Sequence, residues 1–488
     1  MTIWDYQPGA PFPLDAMEDA EKNFWVGDTY SGLIRYEPAG GFTRINLGGP
    51  ATALAFSMTS MNNDVYIAPG GRDASFIPLF TQPQVYHFNN SDWYNLGAYN
   101  NPVLGQTHDI VALAVNPSNP KHVFAASYGK GVTEILNDSA IRRFTENNST
   151  LKHHTSSDTS DIRVGGITFD AKGSLWVVNS HNNSCISRKT GDQWTGYTVP
   201  IVNENDLGMI MADRHGQKWI QMRYGNMNPN SLLVFKENEK SNNPSDYQAK
   251  VLNSSVGSGN IPGNNVFAMA EDKNGEIWIG TEKGIAVFYT PEDVFSGRNF
   301  DCQRILVTQG GYVQYLLENE TVTAIAVDGA NRKWVGTDRG GVFLFSEDGT
   351  KQIYHFTTEN SPLLSDRITC MTINQDGEVF FGTDKGVISF RSSATPANDT
   401  FGDVYAFPNP VKPDYDGYIA IKGLVNNAQV RITDVNGVTV YSTRAEGGQA
   451  VWDGRNFDGR KANTGVYLVF AANDDASEKI VTRILFVR

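Results

Sequence analysis

A recurring aspartate is the feature of this sequence that most suggests chemistry. It stands six residues before a tryptophan at Asp19, Asp170, Asp213, Asp272 and Asp328. A ring of such carboxylates could bind Ca²⁺ through its oxygens. However, a ligand site rarely needs one residue in every repeat, and an aspartate in this place is typical of an Asx turn that closes a hairpin. The pattern therefore favours a structural turn and predicts no metal site.

The histidines are the second set of candidates. His153-His154, His108-Asp109 and His181 could act as metal ligands or general bases. None has a sequence partner at a metal-ligand spacing, and the chain contains neither His-Glu-x-x-His nor Gly-x-Ser-x-Gly. The glycine-rich stretch 257–263 has the wrong spacing for a dinucleotide-binding loop. The sequence therefore predicts no catalytic residue, no cofactor and no enzyme activity.

Several aromatic residues could stack against sugars. They are Tyr6, Tyr30, Trp93, Tyr94, Trp194 and Tyr224. Taken singly, each is better explained by packing, because large aromatic side chains usually fill cores and crevices. The glycan-binding residues therefore stay unknown at this level.

A repeat runs through the first four-fifths of the chain. Its clearest copies are VFAMAEDKNGEIWIGTEKGIAVF (266–288), VTAIAVDGANRKWVGTDRGGVFLF (322–345) and ITCMTINQDGEVFFGTDKGVISF (368–390). The shared aromatic recurs about every 51 residues and stands at Trp25, Tyr66, Phe124, Trp176, Trp219, Trp278, Trp334 and Phe380. We expect this side chain to fill the wedge between neighbouring units.

Each copy has the pattern of a meander of short strands. Roughly four strands in 40 to 60 residues is typical of a β-propeller blade, so residues 1–390 are predicted to form a propeller. Two blade counts stay open. Eight blades result if residues 2–6 form a strand that completes the last unit. Seven result if the first unit belongs to an upstream propeller.

The remainder of the chain has a different pattern. Residues 391–403 form a polar linker, and residues 404–488 contain alternating strands with turns at 434–437 and 458–459. About seven short strands in fewer than 100 residues indicate a small immunoglobulin-like β-sandwich. The predicted fold is therefore all-β, with a seven- to eight-bladed propeller followed by this sandwich.

Composition and charge exclude several classes of protein. A net charge of −13 argues against nucleic-acid binding, which needs clustered Lys and Arg. Cys185, Cys302 and Cys370 are too few and too widely spaced for a disulfide framework, so we expect three buried thiols. No apolar run reaches the roughly 18 residues that a transmembrane helix needs. The first residues lack the features of a signal peptide, so we expect an N-terminally truncated fragment if the protein is exported.

Two family resemblances bear on the fold and on export. The clear repeats resemble the two-component-regulator propeller repeat, with Asp-x-x-Gly followed by Trp-x-Gly-Thr, in a family that senses or binds. The tail resembles the C-terminal sorting domain of type IX secretion cargo. Its features are Phe407-Pro408-Asn409-Pro410, Gly465-Val466-Tyr467 and a basic, β-branched last strand. This resemblance assigns the sorting-signal motif to Pro408, Asn409, Pro410, Gly465 and Tyr467.

Propeller and tail together resemble the PorZ-like components of the type IX secretion attachment complex, chiefly over residues 408–451. The resemblance implies a non-enzymatic scaffold at the outer-membrane surface that binds anionic lipopolysaccharide and secretion-complex proteins, including a sortase. The alternative is an exported glycan-binding or sensory propeller that uses its tail only as a cleavable sorting signal. A polysaccharide-degrading enzyme is disfavoured, because the sequence shows no pair of catalytic carboxylates. The glycan, the binding face, the retention of the tail and the oligomeric state stay open.

Overall fold

The computed structural model describes residues 12–28, 32–45, 48–89, 91–154, 158–182, 184–202, 205–223, 231–241, 243–309, 311–398, 400–473 and 478–487. Within these ranges the helical elements are the short 3₁₀ turns Leu104–Gln106, Pro200–Val202 and Pro291–Phe295. None of the helices in the described ranges has the length and apolar character needed to cross a membrane. The remaining regular structure is β-strand, as the repeat pattern predicts.

The chain begins with a separate four-stranded sheet, and seven blades follow it. The first sheet contains β1 (Pro13–Glu18), β2 (Phe24–Asp28), β3 (Gly32–Tyr36) and β4 (Phe42–Ile45). Blade 1 contains β5 (Ser57–Met61), β6 (Asp64–Ala68), β7 (Gln84–Asn89) and β8 (Asp92–Gly97). Blade 2 contains β9 (Ile110–Asn116), β10 (Asn119–Gly129), β11 (Gly131–Leu136) and β12 (Ser139–Phe144). Blade 3 contains β13 (Ile162–Phe169), β14 (Leu175–Asn179), β15 (Ile186–Thr190) and β16 (Gln193–Tyr197).

The remaining blades repeat this antiparallel meander. Blade 4 contains β17 (Asp206–Ala212), β18 (Lys218–Arg223), β19 (Ser231–Glu237) and β20 (Tyr247–Leu252). Blade 5 contains β21 (Val266–Glu271), β22 (Ile277–Thr281), β23 (Gly284–Phe288) and β24 (Gln303–Arg304), and a hairpin of β25 (Leu306–Gln309) and β26 (Tyr312–Tyr315) follows it. Blade 6 contains β27 (Val322–Val327), β28 (Lys333–Thr337), β29 (Val342–Phe345) and β30 (Gln352–Phe356). Blade 7 contains β31 (Ile368–Ile373), β32 (Glu378–Thr383) and β33 (Gly386–Arg391).

The repeated aromatic residue lies between adjacent blades. Trp334 of blade 6 is fully buried and packs with Ile368, Val379 and Phe381 of blade 7. The corresponding residues of the other blades lie in equivalent inter-blade clusters: Tyr66, Phe124, Trp176, Trp219, Trp278 and Phe380. The prediction that this side chain fills the wedge between units is confirmed for all seven blades.

The ring closes by direct packing of blade 7 on blade 1. The Thr369 hydroxyl donates to the Ala55 carbonyl at 2.5 Å, and the Gln375 amide donates to the Asn62 carbonyl at 2.7 Å. Phe380 lies 5.5 Å from Phe88, measured between ring centroids. These contacts leave no place between blades 7 and 1 for the first sheet. Among the residues that the structure describes, the ring therefore has seven blades, and the unit of Trp25 lies outside it.

The recurring aspartate closes the turn between the first two strands of a blade. In blade 3, Asp170 accepts hydrogen bonds from the backbone amides of Lys172 (3.0 Å) and Ser174 (2.9 Å). Its second oxygen accepts the Trp176 indole N–H at 2.7 Å, which explains the six-residue spacing. In blades 5 and 6 that second oxygen accepts a cationic side chain instead, from Lys333 on Asp272 and from Arg332 on Asp328. The Asx-turn interpretation is confirmed.

The cysteines are free thiols, and all three are buried. Burial raises the pKa of Cys185, Cys302 and Cys370 to about 12. Each thiol therefore stays protonated at neutral pH and acts as a small apolar side chain. The expected buried thiols are confirmed.

The C-terminal strands form a two-sheet sandwich with its own core. One sheet contains β34 (Tyr405–Phe407), β35 (Ile419–Lys422) and β38 (Gln449–Trp452), and the other contains β36 (Gln429–Thr433), β37 (Thr439–Arg444), β39 (Gly465–Ala472) and β40 (Glu478–Phe486). Trp452, Ile421 and Ile484 are fully buried between the sheets. Seven strands in two sheets match the predicted sandwich.

Candidate functional site

Asn409 of the predicted sorting motif covers the edge of the last strand. Its side-chain N–H₂ donates to the Arg483 carbonyl, and its side-chain oxygen accepts the Leu485 amide, both at 2.9 Å. Two residues later, Val411 exchanges backbone hydrogen bonds with Leu485 (2.8 Å) and Val487 (3.0 Å). The motif therefore satisfies backbone groups of β40 that an edge strand would otherwise expose.

Tyr467 of the same motif anchors the sandwich core. Its ring packs edge-on against Trp452 (5.5 Å) and Phe486 (5.8 Å), measured between centroids. The Tyr467 hydroxyl donates to the Asn463 carbonyl at 3.0 Å. Gly465 is the first residue of β39 and pairs with Phe486. The two halves of the motif therefore meet at β40, one at its edge and one beneath it.

Replacing Asn409 by alanine is expected to destabilise the sandwich by about 1–2 kcal/mol, because two backbone groups of β40 lose their partner. Hydrogen exchange of the Leu485 amide should become faster, and the thermal midpoint of the sandwich should fall. Asn436→Ala is the control, since Asn436 lies in an exposed turn. Equal effects of the two substitutions would contradict the assigned role of Asn409.

A buried arginine attaches the sandwich to the ring. Arg332 lies in the turn between β27 and β28, and its side chain is 7% exposed. Its guanidinium donates to Asp328 within the same turn (2.7 Å) and to Glu446 of the sandwich (2.9 Å). The hydroxyls of Ser392 and Ser393 lie 3.0 Å and 3.2 Å from the same guanidinium. We call Asp328, Arg332, Ser392, Ser393 and Glu446 the docking network.

The segment between the ring and the sandwich is packed against both. Ala394 is fully buried, and Thr395 is 6% exposed. The Gly448 amide donates to the Thr395 carbonyl at 2.8 Å. A second ion pair joins Lys422 of the sandwich to Asp376 in the first turn of blade 7, at 2.9 Å. The predicted polar linker is therefore largely held in place by these contacts.

A long connection in blade 1 crosses the opposite end of the ring. This segment, residues 70–81 between β6 and β7, is called the axial loop. The Ser75 carbonyl accepts a hydrogen bond from Arg223 of blade 4. A Cβ placed on Gly208, also in blade 4, would lie 3.1 Å from the Phe76 ring. The blades of a propeller surround a central channel. The axial loop therefore spans the mouth of this channel from blade 1 to blade 4.

Polar residues from neighbouring blades gather beneath the axial loop. Asp206, the first residue of β17, accepts hydrogen bonds from the Tyr128 hydroxyl (3.0 Å) and from His181 Nε2 (2.9 Å). Burial alone would raise the pKa of Asp206, but the bonds from His181 and Tyr128 and the charge of Arg223 leave it below the ordinary value. The His154 ring lies 4.7 Å from that of His181. Sequence spacing did not reveal these partners, because they come from different blades.

The other candidates from the sequence are dispersed. His108 contacts Asp109 at 2.9 Å, and His153 contacts Glu146 at 2.6 Å. Trp93, Tyr94 and Trp194 lie on the outermost strands of blades 1 and 3, where Trp93 packs on Phe88 and Trp194 on Phe144. Trp93 and Trp194 are therefore packing residues, whereas Tyr94 stacks on His87 and is 45% exposed. Tyr6, Tyr30 and Tyr224 lie outside the described residues.

Comparison with protein families finds a match in each part of the chain. Residues 260–283 match the two-component regulator propeller, and residues 405–485 match the secretion system C-terminal sorting domain. A search of the curated proteins found no match.

Two solved structures are similar to this chain to different degrees. PorZ, described as an essential bacterial surface component of the type IX secretion system of Porphyromonas gingivalis, is 27% identical with a TM-score of 0.70. The alignment covers 96% of this chain and 64% of that chain, so the chain spans less than two thirds of the length of that PorZ structure. The extracellular domain of a protein described as a hybrid two-component system from B. thetaiotaomicron is 11% identical, covers 98% of this chain and 68% of that chain, and has a TM-score of 0.49.

The repeat match, the tail match and the similarity to PorZ agree with a propeller ring followed by a sandwich. The chain is a PorZ-like type IX secretion protein that combines a two-component-regulator propeller with a C-terminal sorting domain.

Proposed function

We propose that this chain is a non-enzymatic surface scaffold of the type IX secretion attachment complex and that it keeps its sorting domain. In this proposal it binds anionic lipopolysaccharide and presents it to a sortase. The similarity to PorZ supports the assignment to that surface machinery. We also propose that the propeller ends at residue 390, that a linker covers residues 391–403, and that the sorting domain covers residues 404–488.

The docking network is the observation that carries this proposal. A sorting domain that is removed after export needs an accessible junction with the protein it leaves. Here Ser392, Ala394 and Thr395 are buried, and Arg332 is bonded to both sides of the junction. Cleavage would first have to expose this buried segment and separate Arg332 from Glu446, which leaves the buried guanidinium without one of its acceptors. This favours a retained tail over a cleavable signal.

The proposed mechanism is presentation by a rigid scaffold. Seven wedge clusters fix the blades, so the loops at the ring face opposite the sandwich have defined positions. Exposed apolar side chains on that face, such as Ile77, Phe80 and Tyr312, offer contact area for partners.

The mass of the mature protein on the cell surface tests this proposal. We expect the mature protein to retain residues 404–488. Loss of about 80 residues, the size of a small sandwich, would contradict retention and support the cleavable-signal alternative.

Co-sedimentation of the purified chain with anionic lipopolysaccharide tests the ligand, with lipopolysaccharide stripped of its phosphates and uronates as the control. Equal sedimentation with both would contradict recognition of the anionic groups.

A further inference from the structure

Arg72 of the axial loop lies among aromatic rings at the mouth of the channel. The carbon of its guanidinium is 3.5 Å from the centroid of the Phe76 ring. The Phe56 and Tyr128 rings are 5.3 Å and 5.7 Å away. Stacking of this kind orients a guanidinium and leaves the N–H groups at its rim available for hydrogen bonding.

None of the residues that the structure describes accepts a hydrogen bond from this guanidinium, and Arg72 Nε is buried without a partner. Burial lowers the pKa of Arg72 to about 10. The nearby carboxylate of Asp206 already accepts hydrogen bonds from Tyr128, His181 and Arg223. A desolvated cation without an acceptor is unfavourable, and an oxyanion at this point would relieve the cost.

The other two arginines near Arg72 are each paired with a carboxylate. Arg163 is paired with Asp161 at 3.0 Å, and Arg223 is paired with Asp206 at 3.4 Å. Arg72 has no such pair in the described part of the chain. Asp73, the next residue, uses one oxygen to hold the backbone amides of Ser75 and Ile77, both at 2.8 Å.

The loop around Arg72 keeps a conformation that costs energy. Phe76 and Phe80 have φ angles of 59° and 57°, in a region that bulky residues rarely adopt. Asp109 fixes the far end of the loop through the backbone amides of Phe80 (3.0 Å) and Thr81 (2.7 Å). At Gly71 a Cβ would lie 2.1 Å from Asp109 Oδ1, so only glycine fits. Backbone strain that the surroundings maintain is characteristic of ligand sites.

We propose that Arg72 is the centre of an oxyanion-binding site at the channel mouth, which takes a carboxylate or phosphate group of a ligand. The planar fork of a guanidinium matches the oxygen pairs of both groups. A sugar acid and a sugar phosphate share this chemistry. The inference deepens the proposed function. The identity of the natural ligand rests on that proposed function, whereas anion binding at Arg72 rests on the geometry alone.

Calorimetric titration of the full chain with D-glucuronate and with inorganic phosphate tests the inference, and D-glucose serves as the neutral probe. We expect one or both anions to bind, D-glucose not to bind, and Arg72→Gln to weaken anion binding at least tenfold. The difference between the two anions identifies the preferred group. Arg339→Gln is the matched control, because Arg339 lies on the same face and its side chain is 89% exposed. It should bind as the unaltered chain does.

Arg72→Met separates ligand binding from a packing role, since methionine retains an apolar contact with Phe76. We expect this variant to lose anion binding and to unfold at the same temperature as the unaltered chain or at a higher one, because it removes a desolvated charge. Failure of both anions to bind the unaltered chain, or unchanged binding by Arg72→Gln, would overturn the inference. If the chain binds lipopolysaccharide but neither anion, the Arg72 inference is wrong and the proposed function is unaffected. If the chain binds an anion through Arg72 but does not bind lipopolysaccharide, the inference holds and the proposed ligand is wrong.

Discussion

Replacing Trp334 by alanine is expected to lower the free energy of unfolding of the ring by about 3–5 kcal/mol. The indole is fully buried between blades 6 and 7, and its ring centroid lies 5.7 Å from that of Phe381. Its removal leaves a cavity that two rigid sheets cannot close. Urea or thermal unfolding, followed by circular dichroism, measures the effect.

Trp25→Ala is the matched control for this substitution. Trp25 occupies the same place in the repeat, and Asp19 accepts its indole N–H at 2.7 Å. It belongs to the first sheet, however, and its side chain is only partly buried. We expect the unfolding midpoint of the ring to stay unchanged in this variant. A comparable loss of ring stability would contradict the placement of the first sheet outside the ring.

Replacing Arg332 by alanine is expected to release the sorting domain from the ring. The substitution leaves Asp328 fully buried without its cation and removes the bond to Glu446. Loss of the buried Arg332–Asp328 pair destabilises the first turn of blade 6 by about 3–5 kcal/mol. The sandwich also loses the attachment that this turn makes through Arg332. Limited trypsin digestion measures the release, because cleavage after Arg391 requires the segment that follows it to leave its buried position.

The control for this experiment is Arg339→Ala, which removes an exposed arginine two residues beyond β28. Its digestion should follow that of the unaltered chain, and a surface ion pair of this kind contributes little. If Arg332→Ala is cut after Arg391 no faster than this control, the docking network does not hold the domain, and the argument for a retained tail loses its main support.

Much of the fold could be predicted because each blade packs against its neighbour through the same type of contact. The aromatic on the second strand and the aspartate that closes the first turn recur in the sequence because both make local contacts, within a blade or with the next one. The blade count could not be predicted in this way. The unit of Trp25 has the same local pattern as the others, and it is the packing of blade 7 against blade 1 that excludes it from the ring.

The candidate sites differ in the same way: residues that are close in the sequence could be predicted, and contacts between distant residues could not. Asn409 and Tyr467 were predicted through the resemblance to a sorting domain, since each half of that motif is contiguous in the sequence. Arg332 and Glu446 are 114 residues apart, and nothing in their surroundings predicts that they meet. For Arg72 one signal was available. The connection that carries it is long, and it begins with Gly-Gly, which permits a close backbone approach.

The closure of the ring also has a consequence for how the nascent polypeptide folds. The bonds that join blades 7 and 1 connect residues more than 300 positions apart, such as Ser60 and Thr372, which are 312 residues apart. During vectorial synthesis the apolar flank of blade 1 therefore stays uncovered until almost the whole ring has emerged, which exposes it to aggregation. The sorting domain is made directly after the segment that covers this flank, so a chain that displays a folded signal has already had the opportunity to complete its ring.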